Sequence, residues 1–179
     1  FAAPPERDLE WSDQGVEGAW RFLNRVWRIV QQLAPTVRET KDEYDTAALP
    51  KEEAALRRVL HQTIAKVTDD IETRFNFNTA ISSVMELVNA LYGLPDASAA
   101  TPGLVREVTV NLVKLLAPFS PHIAEELWSV LGGEGSVHGQ PWPSFDREAM
   151  RESEVEIVLQ INGKVRDRIV VSAEADKSS

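Results

Sequence analysis

Eight basic residues of this chain stand in patterns suited to holding an anion. Lys164, Arg166 and Arg168 alternate along "QINGKVRDRIVV". In a strand, residues two apart point to the same face, so the three would form one positive row. Arg21, Arg25 and Arg28 recur at steps of four and three, which on a helix also makes one stripe. Arg57 and Arg58 are adjacent and do not share a helix face. Arginine and lysine are the side chains that most often meet phosphate oxygens, arginine in bidentate fashion. The chemistry on offer is therefore electrostatic holding, of RNA phosphates for instance. Two plainer readings compete: solvated faces, with Glu156 pairing across the strands, or arginines that dock on protein.

Bond-making chemistry finds no support. His61, His122 and His138 show no metal-ligand spacing, and His122, at the start of an expected helix, suits capping or packing. Asp69, Asp70 and Glu72 read as a solvated acidic face. No phosphate-cradling glycine loop and no nucleophile–base pattern is present. We therefore expect no catalytic residue and no metal. The absence of cysteine excludes disulfides and Cys-based metal sites, and points to a reducing compartment.

The formal net charge is −9, which by itself argues against a dedicated nucleic-acid binder. The charge is segregated, however. Between Gly18 and Arg38 there are four arginines and no acid, whereas from Glu39 to Glu53 six acids face two bases. Local patches steer binding more than the total does. No apolar run approaches the roughly 20 residues that span a bilayer, and the start at Phe1 suggests a piece of a longer chain.

The elements that must carry these residues are mainly helical. Val16, Trp20, Leu23, Trp27, Val30 and Leu33 repeat at helical spacing, which leaves Arg21, Arg25 and Arg28 on the far side. Pro35 to Pro50 reads as a polar linker. Leu56, Leu60, Ile64, Val67 and Ile71 mark a second helix. Phe77, Ile81, Val84, Val88 and Leu91 mark a third, with Asn78 as N-cap and Gly93 as stop. Thr101-Pro102 opens a fourth helix that Pro118 ends or kinks, and Ser120-Pro121 opens a fifth that Gly132-Gly133 stops. Phe75 and Phe77 are expected in the core. Trp11, Trp20, Trp27, Trp128 and Trp142 are expected as core or interface anchors.

From Glu154 the period becomes two, and Asn162-Gly163 signals a hairpin. A three-residue loop, Ile161 to Gly163, pairs Leu159 with Val165 and sets an apolar face against the basic one, so that register is expected. The chain divides into a connector (1–14), a helical bundle (15–133), a loop or linker (134–153) and a hairpin (154–179).

Several stretches together resemble a known family. "FAAPPERDLEWSDQGVEGAWRFLNRVWRIV", "ALRRVLHQTIAKVTDDIETRFNFNTAISSVMELVNAL", "LAPFSPHIAEELW" and "VLQINGKVR" are similar to the C-terminal third of bacterial leucyl-tRNA synthetases. "FNTAI" and "PFSPHIAEELW" are shared loosely with the valine, isoleucine and methionine enzymes; "LEWSDQGVEGAWRFLNRVW" and "QINGKVR" point to the leucine enzyme.

The resemblance implies a class I synthetase helical bundle of anticodon-binding type, which in leucine enzymes holds the tRNA body. It implies a hairpin that begins a small, incomplete α/β C-terminal domain. It also implies a cytoplasmic, monomeric ligase that joins leucine to tRNA with ATP and magnesium. The nucleotide-binding signatures of such enzymes do not occur here, so this region should bind tRNA and its own catalytic domain and hold no cofactor. The same region of another class I synthetase, or a docking module that binds no RNA, are the alternatives. Under the resemblance, Arg21, Arg25, Arg28, Arg57, Arg58, Lys164, Arg166 and Arg168 are the RNA-binding candidates.

Overall fold

A computed structural model describes residues 8, 11–41 and 43–151, and the backbone pairing of 154–161 and 164–172. Five helices form the bundle: α1 (Asp13–Glu39), α2 (Lys51–Asp69), α3 (Phe77–Gly93), α4 (Pro102–Leu116) and α5 (Pro121–Val130). Helix α4 packs against all four others. Leu104, Val105, Val108, Leu112, Val113, Leu115 and Leu116 are accordingly all buried along it. The expected stripes of α2 and α3 meet this helix through Leu60 and Ile64 and through Val84, Val88 and Leu91, all shut off from solvent. Of the stripe expected on α1 only Val30 and Leu33 are fully buried; Val16 and Trp20 are exposed, and Phe22, Val26 and Ile29 are buried in their place.

The helix boundaries follow local chemistry in most places. Ser12 caps α1 by accepting from Gly15 N at 3.2 Å. Pro102 and Pro121 stand in the first turns of α4 and α5. Gly132, at φ 77, supplies the left-handed residue just after α5.

Pro35 does not end α1, contrary to the linker expected to begin there; the helix runs on to Glu39. A proline removes one donor and strains one turn, and here tertiary contacts outweigh that cost. Val37 is fully buried, Arg106 Nη1 donates to Val37 O at 2.7 Å, and Arg38 Nε donates to Val130 O at 2.7 Å.

The α2–α3 junction also differs from expectation. After α2 the backbone widens into one π turn, Asp70–Arg74, closed by Phe75 in the left-handed region at φ 53. Asn76 O then accepts from Thr79 N and Ala80 N, so α3 starts at Phe77 and Asn78 lies inside its first turn instead of capping it. Phe75 is 59% exposed and Phe77 is also exposed, so neither is core. Of the tryptophans, Trp128 is buried, while Trp11, Trp20 and Trp142 are exposed. Asp70 is no solvated acid either. It is buried one turn after buried Val67 and paired with Lys66 Nζ at 3.1 Å.

Strands β1 (Glu154–Ile161) and β2 (Lys164–Ser172) pair antiparallel. The register is not the expected one. Ile161 pairs with Lys164 and Gln160 with Val165, after which the pairing shifts and Leu159 meets Asp167. Two residues therefore separate the strands, and Arg166 is the extra residue of a bulge. The shift sets Ile157 opposite Ile169 and Val155 opposite Val171. An unbroken two-residue register would have set Ile157 opposite Arg168.

Candidate nucleic-acid interface

Arg21, Arg25 and Arg28 are all exposed on α1: Arg21 and Arg28 lie well away from the buried set of Phe22, Val26, Ile29, Val30 and Leu33, and Arg25 flanks that set on the side of α3. Their settings differ. Arg21 Nε lies 3.9 Å from Glu17 Oε1 in a largely exposed pair, which contributes little. Arg28 has no partner among the described residues. Arg25 is held by α3: its Nη2 donates to Asn89 Oδ1 at 2.8 Å, and its guanidinium sits 4.9 Å over the Tyr92 ring. Tyr92 is itself fixed by donating its hydroxyl to Arg25 O at 2.9 Å. The stripe thus combines a preset guanidinium, Arg25, with two that are free to turn toward a ligand.

Arg57 is placed differently. Its side chain is only 17% exposed and belongs to a polar network between α2 and α4. Nε lies 3.6 Å from Glu107 Oε2 and donates to Tyr44 Oη at 3.1 Å, while Nη2 donates to Asp146 Oδ2 at 3.2 Å. Tyr44 Oη donates to Glu107 Oε2. His61 is buried beside them, with Nε2 3.3 Å from Glu107 Oε1, within ion-pair reach but without hydrogen-bond alignment. Arg58, on the neighbouring face of α2, is half-buried. The side chains of Lys164, Arg166 and Arg168 lie outside the described residues.

The network perturbs its members in ways that follow from its geometry. Burial acts to raise the Glu107 carboxyl, but the close approach of His61, the Tyr44 hydrogen bond and the charge of Arg57 outweigh it and hold the group below its usual value. Burial raises Tyr44 well above an ordinary phenol, and the Glu107 carboxylate raises it further. At Arg57, burial opposes the charge, and the attraction of Glu107, Tyr44 and Asp146 together more than offsets it. Asp146 is lowered, first by accepting from the Glu148 backbone and then by Arg57. A carboxylate kept charged and a guanidinium kept charged, each already met, make a brace and not a proton donor.

Sequence periodicity gives no reason to single out Tyr44, Glu107 or Asp146. The one available signal is Glu107 itself, an acid set between the buried Val105 and Val108 of α4. No cluster among the described residues could hold a metal, and no described helix is long and apolar enough to cross a membrane.

At one end of the bundle an apolar groove of about 200 Å³ opens between α1, α3 and the α4–α5 turn, lined by Phe22, Leu23, Ile81, Met85, Leu116 and Phe119. Phe119 and Phe75 both meet Phe77 edge to face, with centroids 6.4 and 6.3 Å away. Exposed Trp20 stands on the same half of α1.

A family model described as the anticodon-binding domain of tRNA ligase matches residues 53–179. Among solved structures, the fold is similar to LeuRS from Agrobacterium radiobacter in a ternary complex with tRNA and LeuAMS, with a TM-score of 0.79 and 32% identity. That match covers 94% of this chain and 21% of the LeuRS chain, so this chain spans about a fifth of that protein's length.

Proposed function

Because the chain belongs to the anticodon-binding domain family of tRNA ligases, we propose that it is the tRNA-holding region of a leucine–tRNA ligase. The observation that carries the reading is the stripe of Arg21, Arg25 and Arg28, all exposed on one side of α1, in a bundle similar to a LeuRS solved with its tRNA. Its mechanism is non-covalent. Guanidinium groups meet phosphates and set the register of the tRNA without reading its sequence. Holding the tRNA body places the acceptor end at a distant active site, where orientation governs rate.

The ATP and magnesium chemistry belongs to parts of such a ligase outside residues 1–179, and we propose that this region holds neither. The apolar end with Phe75, Phe77 and Trp20 suits docking of the enzyme's own catalytic part. Residues 154–172 open a small α/β C-terminal domain, whose Lys164, Arg166 and Arg168 add a second RNA contact. Arg57 and Arg58 belong to the same RNA-facing set, Arg57 in second place because its guanidinium already meets Glu107, Tyr44 and Asp146. We further propose a monomeric, cytoplasmic enzyme.

Two measurements on the full-length ligase test this. Charging assays with leucine, valine, isoleucine and methionine should give tRNA charging with leucine alone; charging with another of these would reassign the enzyme. Replacing Arg21, Arg25 and Arg28 together with alanine should weaken tRNA binding, and unchanged affinity at every salt concentration would leave the stripe as a solvated or protein-docking face.

A further inference from the structure

After α5 the chain turns back along α2. Residues 141–151 touch that helix at four places, none of them an ordinary loop contact between neighbours in sequence. Trp142 Nε1 donates to Thr68 Oγ1 at 2.8 Å, Asp146 N donates to His61 Nδ1 at 3.2 Å, Arg57 Nη2 donates to Asp146 Oδ2 at 3.2 Å, and Gln62 Nε2 donates to Met150 O at 3.2 Å. The segment is a strap along about three turns of α2, and it ends where the chain leaves the bundle for residues 154–172.

The two contacts at Asp146 both lead back to Glu107 of α4. Asp146 N–H needs an acceptor, so Nδ1 of the neutral imidazole is the bare nitrogen and Nε2 carries the proton. Nε2 faces Glu107 Oε1 at 3.3 Å, so the carboxylate selects the tautomer that can receive the strap. The other oxygen of Glu107 faces Arg57 Nε, which turns the guanidinium's remaining edge toward Asp146. Tyr44 donates to the same oxygen and fills the fourth side.

We infer that Glu107 is a positioning residue, which acts through the His61 tautomer and the Arg57 guanidinium to hold residues 141–151 on α2 and so fixes where the chain departs from the bundle. Nothing in this rests on the arginine stripe of α1. The strap either depends on Glu107 or does not, whatever the stripe binds.

Hydrogen exchange and histidine nitrogen-15 spectra of the protein test the inference. In the wild type, His61 should show the Nε2–H tautomer, with Nδ1 unprotonated. Glu107→Met, which removes the carboxylate at similar length, should mix the tautomers and raise deuterium uptake of 141–151 by roughly tenfold, the scale of losing a charge-assisted hydrogen bond. Uptake in α3 should hold. If Glu107→Met loosens the whole bundle, the exposed end of the brace decides. Asp146→Ala should raise strap uptake by roughly threefold with α3 unchanged, and Asp146→Glu, which keeps the carboxylate, should restore most of the protection. An Nδ1–H tautomer in the wild type would overturn the inference. So would unchanged strap uptake in Glu107→Met.

Discussion

Tyr44 packs directly against the backbone of Gly103. A Cβ built on Gly103 would stand 2.6 Å from Tyr44 Cδ1, closer than real contacts allow. The glycine at the start of α4 therefore makes room for the ring whose hydroxyl reaches Glu107. Gly103→Ala should push Tyr44 out and open the network. The expected loss is about 1–3 kcal/mol, the range for overpacking a fitted site. Urea melts of Gly103→Ala and Tyr44→Phe compare the two effects. A Gly103→Ala variant as stable as wild type would mean that the ring moves aside at no cost.

Core truncation should be costlier. Leu60 is fully buried where α2 meets the bundle. Leu60→Ala should cost about 2–5 kcal/mol, with Val88→Ala on α3 losing less because fewer atoms are removed. A melting curve unchanged for Leu60→Ala would contradict the packing.

Acid should weaken the fold through Glu107. Its carboxyl is lowered in the folded state, so its contribution is present above the ordinary value of 4.5 and is lost as pH falls through the folded value. Glu107→Gln should therefore cost most at neutral pH, and the gap from wild type should narrow in acid. Tyr44 works at the other end: its folded value is raised, so its contribution is present below 10.0 and fades as pH climbs beyond. Equilibrium unfolding of wild type and Glu107→Gln across pH checks the first sign, and a gap of constant size would refute it.

Salt should report the phosphate contacts. In the full-length ligase, each arginine of α1 that meets a tRNA phosphate contributes roughly 0.7–0.9 to the log–log salt slope. The Arg21/Arg25/Arg28 triple alanine variant should therefore have a flatter line than wild type, with little dependence on RNA sequence. The Lys164/Arg166/Arg168 triple should act likewise. Parallel lines for either set would mean that it meets no tRNA phosphate.

The bundle was legible because its signals are local. The apolar stripes of α2, α3 and α4 recur at helical spacing, and Pro102, Pro121 and Gly132 mark ends that any neighbouring structure would respect. The exposure of Arg21, Arg25 and Arg28 was expected from a stripe that is not the buried one: Val16 and Trp20 are exposed, and the buried face of Phe22, Val26, Ile29 and Leu33 lies about a quarter turn round α1.

What the sequence determined by itself, then, was the helical architecture, the outward stripe and the resemblance to a tRNA ligase, all carried by spacing within single segments. Tertiary structure alone decided whatever depended on partners far along the chain. Pro35 reads as a stop until Arg106 and Val37 anchor the turn beyond it. Phe75 and Phe77 read as core until the left-handed residue after the π turn leaves them exposed. Arg57 reads as a free cation until Tyr44, Glu107 and Asp146, 13, 50 and 89 positions away, converge on it. Periodicity fixes which way a side chain points from its own helix; it carries no information about what the rest of the fold brings there.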